Sequence, residues 1–345
     1  MDFAGYLKTS AEDIDKEIDR FFQNWEKEVE KINPKLLKLT RLFAEHCEGG
    51  KRLRGVLVRL GYELVQPPVH QSQDILKAAA AFEVFQTSIL AHDDVIDQSF
   101  TRRGKPTIYR ALGGDHFGIS QTICLGDVGF FLAQKLILES DFPEGIKLKA
   151  FTSFTQTVLD TGLGQMLDIE LPRSENISER DILTVFYLKT ARYTIAGPLQ
   201  LGAILGGGGE MLLGELGQLG EKLGVAFQIQ DDILGVFGDE KTLGKSVTSD
   251  IEEGKQTLLI NYALEHSSAD QRQVLKKYYG RGKIRSEELE KIQAVFKKTG
   301  ALEYSQKKAE SLVVEAGEII ANLAADPAKR RLLSEMSEYI ISRLK

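Results

Sequence analysis

The sequence predicts an all-α fold, a single large helical bundle around a deep central cavity. Ile75 to Ile96 contains no Gly or Pro and carries apolar residues on every face, which indicates a buried helix. Further long helices are predicted at 112–138, 151–170 and 220–234. No alternating strand pattern of useful length and no internal repeat accompanies them.

Composition and charge narrow the classes of protein that this chain can represent. The 345 residues are 42% hydrophobic with a formal net charge of −6, so there is no basic footprint for nucleic acid and no polybasic segment for anionic lipid. Cys47 and Cys124 are too few for a disulfide framework, which predicts a reducing, cytoplasmic location. No secretory signal is visible and no window of about 18 consecutive apolar residues occurs, so no membrane span is expected.

The first helix is predicted at residues 10–31. Ser10 and Asp13 resemble a capping box, and an apolar stripe from Ile14 to Val29 predicts that the helix packs on the body of the protein. The Asn-Pro pair at 33–34 ends it.

Basic residues follow a glycine pair at the start of a later helix. Gly49 and Gly50 precede Lys51 and Arg54, which are three residues apart and share one helix face. Because a helix N-terminus presents free N–H groups and a positive dipole, this turn suits a phosphate. A lone KRxR is otherwise a solvated basic turn, and the residues alone leave both interpretations open.

Carboxylates end the helix that begins at Ile75. Asp93 and Asp97 are four residues apart and lie on one face. The macrodipole repels them at the C-terminal end, and the apolar surroundings remove their hydration. Compensation can come from Arg102 and Arg103 in the next loop, or from Mg²⁺, which takes one or two protein carboxylates plus phosphate oxygens. One DDxxD alone could equally cap the next helix or form a solvated helix end.

A second apolar helix repeats this arrangement. It carries Asp231 and Asp232 and is followed by Lys245, Asp250 and Lys255. Two acid pairs on two helices, each followed by cations, predict two walls of one deep anionic cavity. Metal would bridge this cavity and basic residues would close it.

At these segments the chain resembles the trans-isoprenyl diphosphate synthase (polyprenyl synthetase) family. The matching segments occur in the family's order and spacing: GGKRLRG at 49–55, HDDVID and RRGKP within 92–106, GQMLD at 164–168, KT at 189–190, FQIQDD at 227–232 and GKSVTSDIEEGKQT at 244–257. The resemblance implies one polyprenyl synthetase domain over residues 1–345, with an N-terminal helix at 1–35 packing on it. It also implies a homodimer.

The activity that this resemblance implies is a Mg²⁺-dependent condensation of isopentenyl diphosphate with an allylic diphosphate to give a longer trans-prenyl diphosphate. The implied magnesium ligands are Asp93, Asp97 and Asp231. The residues implied for isopentenyl diphosphate are Lys51, Arg54, Gln86 and Arg103, and those implied for the allylic diphosphate are Arg102, Lys189 and Lys245, with Lys255 as a further substrate-binding residue. Thr190 and Gln228 would contact the substrate and stabilise the allylic cation.

Two features of the second half keep alternatives open. Asp168 resembles an acid near the family's metal cluster, but an ion pair with Lys189 explains it as well. Gly235 stands where many members carry a third Asp of the second motif. Asp231 is therefore expected to be the direct ligand from that side, and no firm role is assigned to Asp232 or Asp239.

Product length should depend on residues that precede Asp93. Ser88, five residues earlier, leaves the path of the growing tail open, and Ile89 lies beside it. Phe85, eight residues earlier, can form the floor about 12 Å from the metal site. Geranylgeranyl diphosphate (C20) is the predicted product, with a farnesyl or a longer product as the alternative.

Two other functions share some of these features. A terpene cyclase has the same kind of helical fold and a DDxxD motif, but it is expected to carry an NDxxSxxxE-like second motif and to lack GGKRLRG. A non-catalytic regulatory subunit of a heteromeric prenyl synthase is expected to have lost its acids, and both acid motifs are present here. The sequence therefore favours the enzyme.

Overall fold

A computed structural model describes residues 2–66, 73–238 and 247–342, and these ranges confirm the all-α fold. The helices are α1 (Phe3–Ile32), α2 (Leu37–Cys47), α3 (Leu53–Val65), α4 (Gln73–Ile96), α5 (Ile108–Ala111), α6 (His116–Leu138), α7 (Glu144–Glu170), α8 (Glu179–Val185), a π-helix (Phe186–Ala196), α9 (Gly197–Leu205), α10 (Glu210–Phe237), α11 (Ser249–Glu253), α12 (Leu258–His266), α13 (Ala269–Tyr278), α14 (Ser286–Lys298), α15 (Ala301–Asn322) and α16 (Pro327–Ser342). Short 3₁₀ turns occupy Pro34–Leu36 and Leu171–Arg173.

The first helix begins earlier than predicted. Asp2 is its N-cap, and the Asp2 carboxylate accepts a hydrogen bond from the Gly5 N–H. Ser10 lies within the helix and is 1% exposed, so the capping box predicted at Ser10 and Asp13 was wrong. The stripe of apolar residues extends back to Phe3, and α1 packs on α3 and α4.

A two-stranded ribbon interrupts the helices between α4 and α5. Strands β1 (Thr101–Arg102) and β2 (Lys105–Pro106) pair antiparallel. The two residues between them have positive φ, 52° at Arg103 and 75° at Gly104. This is the two-residue hairpin geometry that matches the twist of paired strands.

The chain forms two compact units, each assembled from separate segments. Unit 1 comprises residues 1–155, 197–214 and 325–329, and unit 2 comprises residues 156–196, 215–324 and 330–345. In unit 1, α4 packs against α6, α3 and α1, and α3 packs against α9. In unit 2, a core of aliphatic and aromatic side chains from α8, α10 and the helices after α11 encloses residues such as Ile229, Ile251 and Phe296.

Glycines let helices of unit 1 approach each other closely. A Cβ at Gly129 of α6 would lie 2.1 Å from Ser88 Oγ of α4, and one at Gly126 would lie 2.3 Å from His92 Nε2. On the other side of the unit, a Cβ at Gly202 would lie 1.9 Å from the Val58 carbonyl oxygen. Real Cβ atoms do not tolerate such distances, so these helix contacts require glycine.

Within the described residues, α6 is the one helix that is long and apolar enough to cross a membrane by length and composition. The share of its most apolar window that is buried is 44%. One face of α6 packs on α4, and other apolar side chains of the helix, such as Phe131, are exposed in the single chain.

The contact between α4 and α6 can be tested by enlarging its glycine. Gly129→Ala would overpack the contact with Ser88 and Phe43, and we expect it to lower the free energy of unfolding by about 1–3 kcal/mol. Gly317→Ala is the control, because it lies within α15 and a Cβ there meets no atom within 4 Å. This control should raise stability by about 0.5–1 kcal/mol. Denaturant unfolding of both variants measures the difference, and equal changes would contradict the close approach.

Candidate active site

Arg102 compensates the negative charge at the end of α4. Its Nε and Nη2 donate to Asp94 Oδ1 at 2.8 and 2.6 Å, and its Nη2 lies 4.0 Å from Asp93 Oδ2. Asp94 is 3% exposed, and this burial raises the pKa of its carboxyl despite the opposing effect of Arg102. Of the two compensating groups that the sequence offered, the arginine is therefore in place on Asp94, while Asp93 and Asp97 lie half-buried on the neighbouring face.

Arg103 joins the ribbon to the glycine turn before α3. Its Nη1 donates to the carbonyls of Glu48 and Gly49, both at 3.2 Å. A Cβ at Gly50 would lie 3.1–3.2 Å from the guanidinium, and Gly49 and Gly50 both have positive φ. The glycine pair therefore lets this backbone reach the arginine, and burial lowers the pKa of the guanidinium.

A cavity of about 290 Å³ lies in unit 1 beside these groups. Its lining includes Gly49, Asp94, Arg102, Arg103 and two residues that the sequence analysis did not single out, His46 and Lys105. His46 is fixed by contacts of its ring nitrogens with the Leu42 and Pro106 carbonyls. Lys105 could have been found from its place in RRGKP. His46 has no sequence signal, because its place in the cavity depends on a contact with Pro106 of the ribbon, 60 residues away in the chain.

The three cations of the KRLR segment differ in how far they are buried. Arg52 has φ 52° and is 4% exposed, with its guanidinium bonded to Asp15 Oδ1 and the Cys47 carbonyl, both at 2.6 Å. It also lies 3.7 Å from buried Glu83. Lys51 is exposed and Arg54 is half-buried. Arg52 therefore belongs to the packing, while the roles of Lys51 and Arg54 stay predictions.

The chain-length residues of α4 divide between two faces. Gln86 and Ile89 are half-buried like Asp93, whereas Phe85 and Ser88 are 1% and 0% exposed. Since successive residues turn by about 100°, Ile89 lies within about 40° of the Asp93 direction and Ser88 about 140° from it. Ser88 faces Gly129 of α6. The Phe85 ring packs among three others, those of Phe82, Phe130 and Phe154, with centroids 5.4–6.3 Å away.

Unit 2 carries a relay of hydrogen bonds that ends at a buried acid. Thr190 Oγ1 donates to Gln228 Oε1 at 2.7 Å, and Gln228 Nε2 donates to Asp232 Oδ1 at 2.7 Å. Asp232 is 7% exposed, and its Oδ2 is buried without a hydrogen-bond partner. Burial, followed by the charge of Asp250, raises the pKa of Asp232 well above its usual range.

Asp250 fills the space that Gly235 leaves. A Cβ at Gly235 would lie 2.4 Å from Asp250 Oδ2. The Asp250 carboxylate is 7% exposed, and Lys255 Nζ lies 3.4 Å from its Oδ1. A carboxylate from another segment therefore lies against the position where many members of the resembled family carry a third Asp. The glycine at 235 is visible in the sequence, whereas the acid that fills its space is brought there only by folding.

Lys189 is held by Asp168 on a distorted helix. Lys189 Nζ donates to Asp168 Oδ2 at 2.5 Å, so the ion pair considered from the sequence is present. Lys189 and Thr190 lie in the π-helix, a form that often marks functional sites. Gly164 of α7 and Gly224 of α10 both contact this helix closely, since a Cβ at either would lie 2.4 Å from Lys189 N or Ala191.

The predicted residues therefore fall in two groups. Unit 1 holds Lys51, Arg54, Phe85, Gln86, Ser88, Ile89, Asp93, Asp97, Arg102 and Arg103; unit 2 holds Lys189, Thr190, Gln228, Asp231 and Lys255. Lys245 and Asp239 lie outside the described residues. No group of three or more His, Cys, Asp or Glu in the described ranges is arranged to hold a metal unaided.

Magnesium does not need such a cluster when phosphate oxygens complete its shell. The partnerless oxygen of Asp232 and the half-buried Asp93 and Asp97 are oxygen donors of the kind that Mg²⁺ selects. Within each unit, the oxygen donors present therefore fit a magnesium ion whose shell is completed by phosphate oxygens.

The comparison with protein families decides the assignment. The sequence model of the polyprenyl synthetase family matches residues 37–298. The chain belongs to the polyprenyl synthetase family. This polyprenyl synthetase is therefore an enzyme, a trans-prenyltransferase, and the family resemblance drawn from its motifs is confirmed.

Individual relatives agree with the family assignment. This polyprenyl synthetase is 33% identical over 300 residues to the geranylgeranyl diphosphate synthase of Sulfolobus acidocaldarius, covering 86% of this chain and 88% of that protein. It is 34% identical over 297 residues to a short chain isoprenyl diphosphate synthase of Methanothermobacter thermautotrophicus, covering 86% and 87%. A geranylgeranyl pyrophosphate synthase from Corynebacterium glutamicum, complexed with isoprenyl diphosphate and magnesium, matches with a TM-score of 0.91 at 28% identity, covering 99% of this chain and 100% of that one.

The buried Asp232 predicts a pH dependence of stability in the absence of metal. Its pKa is raised in the folded chain, so its contribution to stability is full below about pH 4, the ordinary aspartic acid value, and is lost as the pH rises through the raised pKa. Asp232→Asn keeps an acceptor for Gln228 and removes the charge. We expect it to raise the melting temperature at pH 7–8 in chelator, with the difference shrinking toward pH 4.

Exposed Asp19 provides the matched control for this experiment. Asp19→Asn should leave the melting temperature within about 1 °C of wild type at every pH, since exposed substitutions rarely change stability. A destabilised Asp232→Asn at pH 8 in chelator would show that the carboxylate is compensated in the metal-free chain.

Proposed function

We propose that this polyprenyl synthetase uses magnesium to condense isopentenyl diphosphate with an allylic diphosphate and releases geranylgeranyl diphosphate (C20). The proposal rests on two groups of acidic residues, Asp93 and Asp97 in unit 1 and Asp231 and Asp232 in unit 2. Each unit also carries cationic side chains on ordered backbone. The names of the relatives support the product, because two of the proteins above are geranylgeranyl diphosphate synthases.

Each group of side chains has a task in this reaction. Bound Mg²⁺ would neutralise the allylic diphosphate and improve it as a leaving group. Asp93, Asp97 and Asp231 would supply the protein oxygens, and Arg102, Lys189 and Lys255 would hold phosphate oxygens as charge develops on them. Lys245, which lies outside the described residues, stays a prediction for the same task.

The second substrate would be held by the cations of the glycine turn. Lys51, Arg54 and Arg103 would bind the isopentenyl diphosphate, together with Gln86 of α4. The double bond of this substrate would then lie near the allylic carbon. Thr190 and Gln228, fixed by their mutual hydrogen bond, would present oxygens toward the allylic cation without offering a nucleophile. The released diphosphate can accept the proton that completes the condensation.

The product length follows from the aromatic cluster on α4. The half-buried face that carries Asp93 and Ile89 ends where α4 becomes fully buried, at Phe85 and the residues before it. Ser88 contributes a small side chain that is buried against α6 and does not obstruct the Ile89 side. Phe85, backed by Phe82 and Phe154, would stop the tail after four isoprene units.

The direct experiment incubates the purified protein with Mg²⁺ and labelled isopentenyl diphosphate. Dimethylallyl, geranyl and farnesyl diphosphate are offered separately, and the dephosphorylated products are sized by chromatography. We expect a C20 alcohol from each primer. Incorporation only beyond C20 would retain the condensation and reject the floor. No incorporation with any primer would reject the enzyme and favour a regulatory subunit.

Truncating the floor should lengthen the product. Phe85→Ala removes a ring that the tail would meet, and we expect C25 and longer alcohols with at least half of the C20 lost. Phe22→Ala is the control, because it removes a buried ring of α1 at a similar cost of about 3–5 kcal/mol without touching α4's aromatic cluster. An unchanged C20 product in Phe85→Ala would move the floor elsewhere.

The proposed assembly is a homodimer formed through α6. Apolar or sulfur side chains recur along one exposed stripe of this helix at Phe117, Cys124, Val128, Phe131 and Leu138. Their spacing of seven, four, three and seven residues is that of a coiled-coil seam, and a stripe of this length is more apolar than the surface of a monomer usually is. A second copy offers the same stripe and can cover it symmetrically.

The dimer can be tested by charging the middle of the stripe. Phe131→Glu places a carboxylate at a position that is 69% exposed in the single chain, and we expect it to give the mass of one chain by light scattering where the wild type gives two. Val314→Glu, a 65% exposed position on α15, should leave the dimer intact. A wild-type mass of one chain would reject the assembly.

We also propose a domain assignment and a cellular location for the protein. We assign residues 1–345 to one polyprenyl synthetase domain, since both units are built from interleaved segments of the chain. A cytoplasmic location agrees with the two cysteines, which are both free.

A further inference from the structure

A segment that carries none of the family motifs holds the loop that contains Lys255. We call residues 279–284 the clamp segment; it follows α13. Its Gly280 N–H donates to the Ile251 carbonyl at 2.8 Å, and its Gly282 N–H donates to the Glu252 carbonyl at 3.2 Å. Its Ile284 N–H donates to Glu252 Oε1 at 3.1 Å. The C-terminal end of α11 is therefore bonded to the clamp segment by three donors.

Two glycines bring these backbones into direct contact. Gly254 has φ 74° and Gly280 has φ 68°, a conformation that side chains disfavour. A Cβ at Gly254 would lie 2.9 Å from the Gly280 Cα, and one at Gly280 would lie 3.3 Å from the Gly254 Cα. Each glycine is needed both for its own backbone angle and for the approach of the other segment.

Lys255 follows directly and is fixed on both sides of its backbone. Its N–H donates to the Asp250 carbonyl at 2.9 Å, and its carbonyl accepts from the Tyr279 hydroxyl at 2.5 Å. Its Nζ lies 3.4 Å from Asp250 Oδ1 and 3.3 Å from Glu253 Oε2. The side chain thus leaves a backbone that cannot rotate freely and reaches the acids of α11.

The Tyr279 hydroxyl is suited to be a permanent donor. Burial of the phenol, followed by the negative charges of Asp250 and Asp232, raises its pKa above the ordinary value. The phenol is therefore protonated, and able to donate, at neutral pH. Its ring packs edge-on against Phe296 of α14, with centroids 6.5 Å apart, which fixes the direction of the hydroxyl.

We infer that Tyr279 and Gly280 are positioning residues for Lys255, and that the clamp segment sets how its ammonium meets the allylic diphosphate. This inference rests on the proposed function, which gives Lys255 a diphosphate to bind. The clamp segment holds the ammonium beside Asp250 and Glu253 before substrate arrives. The ammonium is therefore already positioned when the diphosphate binds.

Tyr279→Phe removes the hydroxyl and keeps the ring. We expect amide hydrogen exchange in residues 250–256 to become about tenfold faster, as loss of one buried hydrogen bond implies. We expect kcat/KM for the allylic diphosphate to fall about tenfold while KM for isopentenyl diphosphate stays unchanged. Tyr278→Phe, the adjacent residue on the same helix end, is the control and should match the wild type in both measurements.

A double-mutant cycle separates positioning from general loss of stability. In a Lys255→Met background, Tyr279→Phe should have no further effect on kcat/KM for the allylic diphosphate, because the group that it positions is gone. Independent, additive losses would overturn the inference, as would unchanged exchange in residues 250–256.

A glycine variant covers the case in which Tyr279→Phe folds poorly. Gly280→Ala should reproduce the faster exchange and the selective fall in kcat/KM for the allylic diphosphate. Gly300→Ala is the control: it places a side chain at a similarly positive φ (80°), at the start of α15, without meeting Gly254. Equal behaviour of these two variants would also overturn the inference. The exchange measurement needs no substrate, so a wild type that fails to condense any primer would refute the proposed function and leave the clamp to be judged by exchange alone.

Discussion

The structure depends on how buried negative charge is compensated. Asp94 and Asp232 are both almost fully removed from water, and a carboxylate in such a place is costly unless it is neutralised or paired. In unit 1, Arg102 compensates Asp94 by donating two hydrogen bonds to one of its oxygens. Unit 2 leaves one oxygen of Asp232 without a partner. Asp232 is instead met by a raised pKa, which favours its neutral form in the metal-free chain.

Two arginines of unit 1 have left-handed backbone conformations. Arg103 has a left-handed conformation in a two-residue turn, and Arg52 has one just before α3. Both cost energy for residues with side chains, and each is offset by hydrogen bonds of the guanidinium to backbone carbonyls. The Arg103 guanidinium is thus positioned before any phosphate binds, which reduces the entropy that binding must supply.

The sequence predicted the parts of this arrangement that are local. The helix from Ile75 and the spacing of Asp93 and Asp97 depend on residues that are near one another in the chain, and periodicity reveals them. It could not predict that Arg52 turns inward, since that depends on Asp15 and Glu83, which lie 37 and 31 residues away in the chain and pack there only in the folded unit. The start of α1 was misjudged because Ser10 satisfies a capping pattern while the true cap, Asp2, lies a full two turns earlier.

Gly235 shows the limit of comparing motifs position by position. Judged against the family pattern, the second acid motif lacks a carboxylate. In the folded unit the space beside Gly235 is taken by Asp250, whose oxygen would lie 2.4 Å from any Cβ there. A third Asp at position 235 would bring two buried carboxylates into contact and remove the room for one of them. The glycine and Asp250 therefore form one feature, in which the acid is supplied by the segment that also carries Lys255. Because that segment is held by residues after α13, the charge balance around Asp232 depends on a part of the chain in which no motif could be seen.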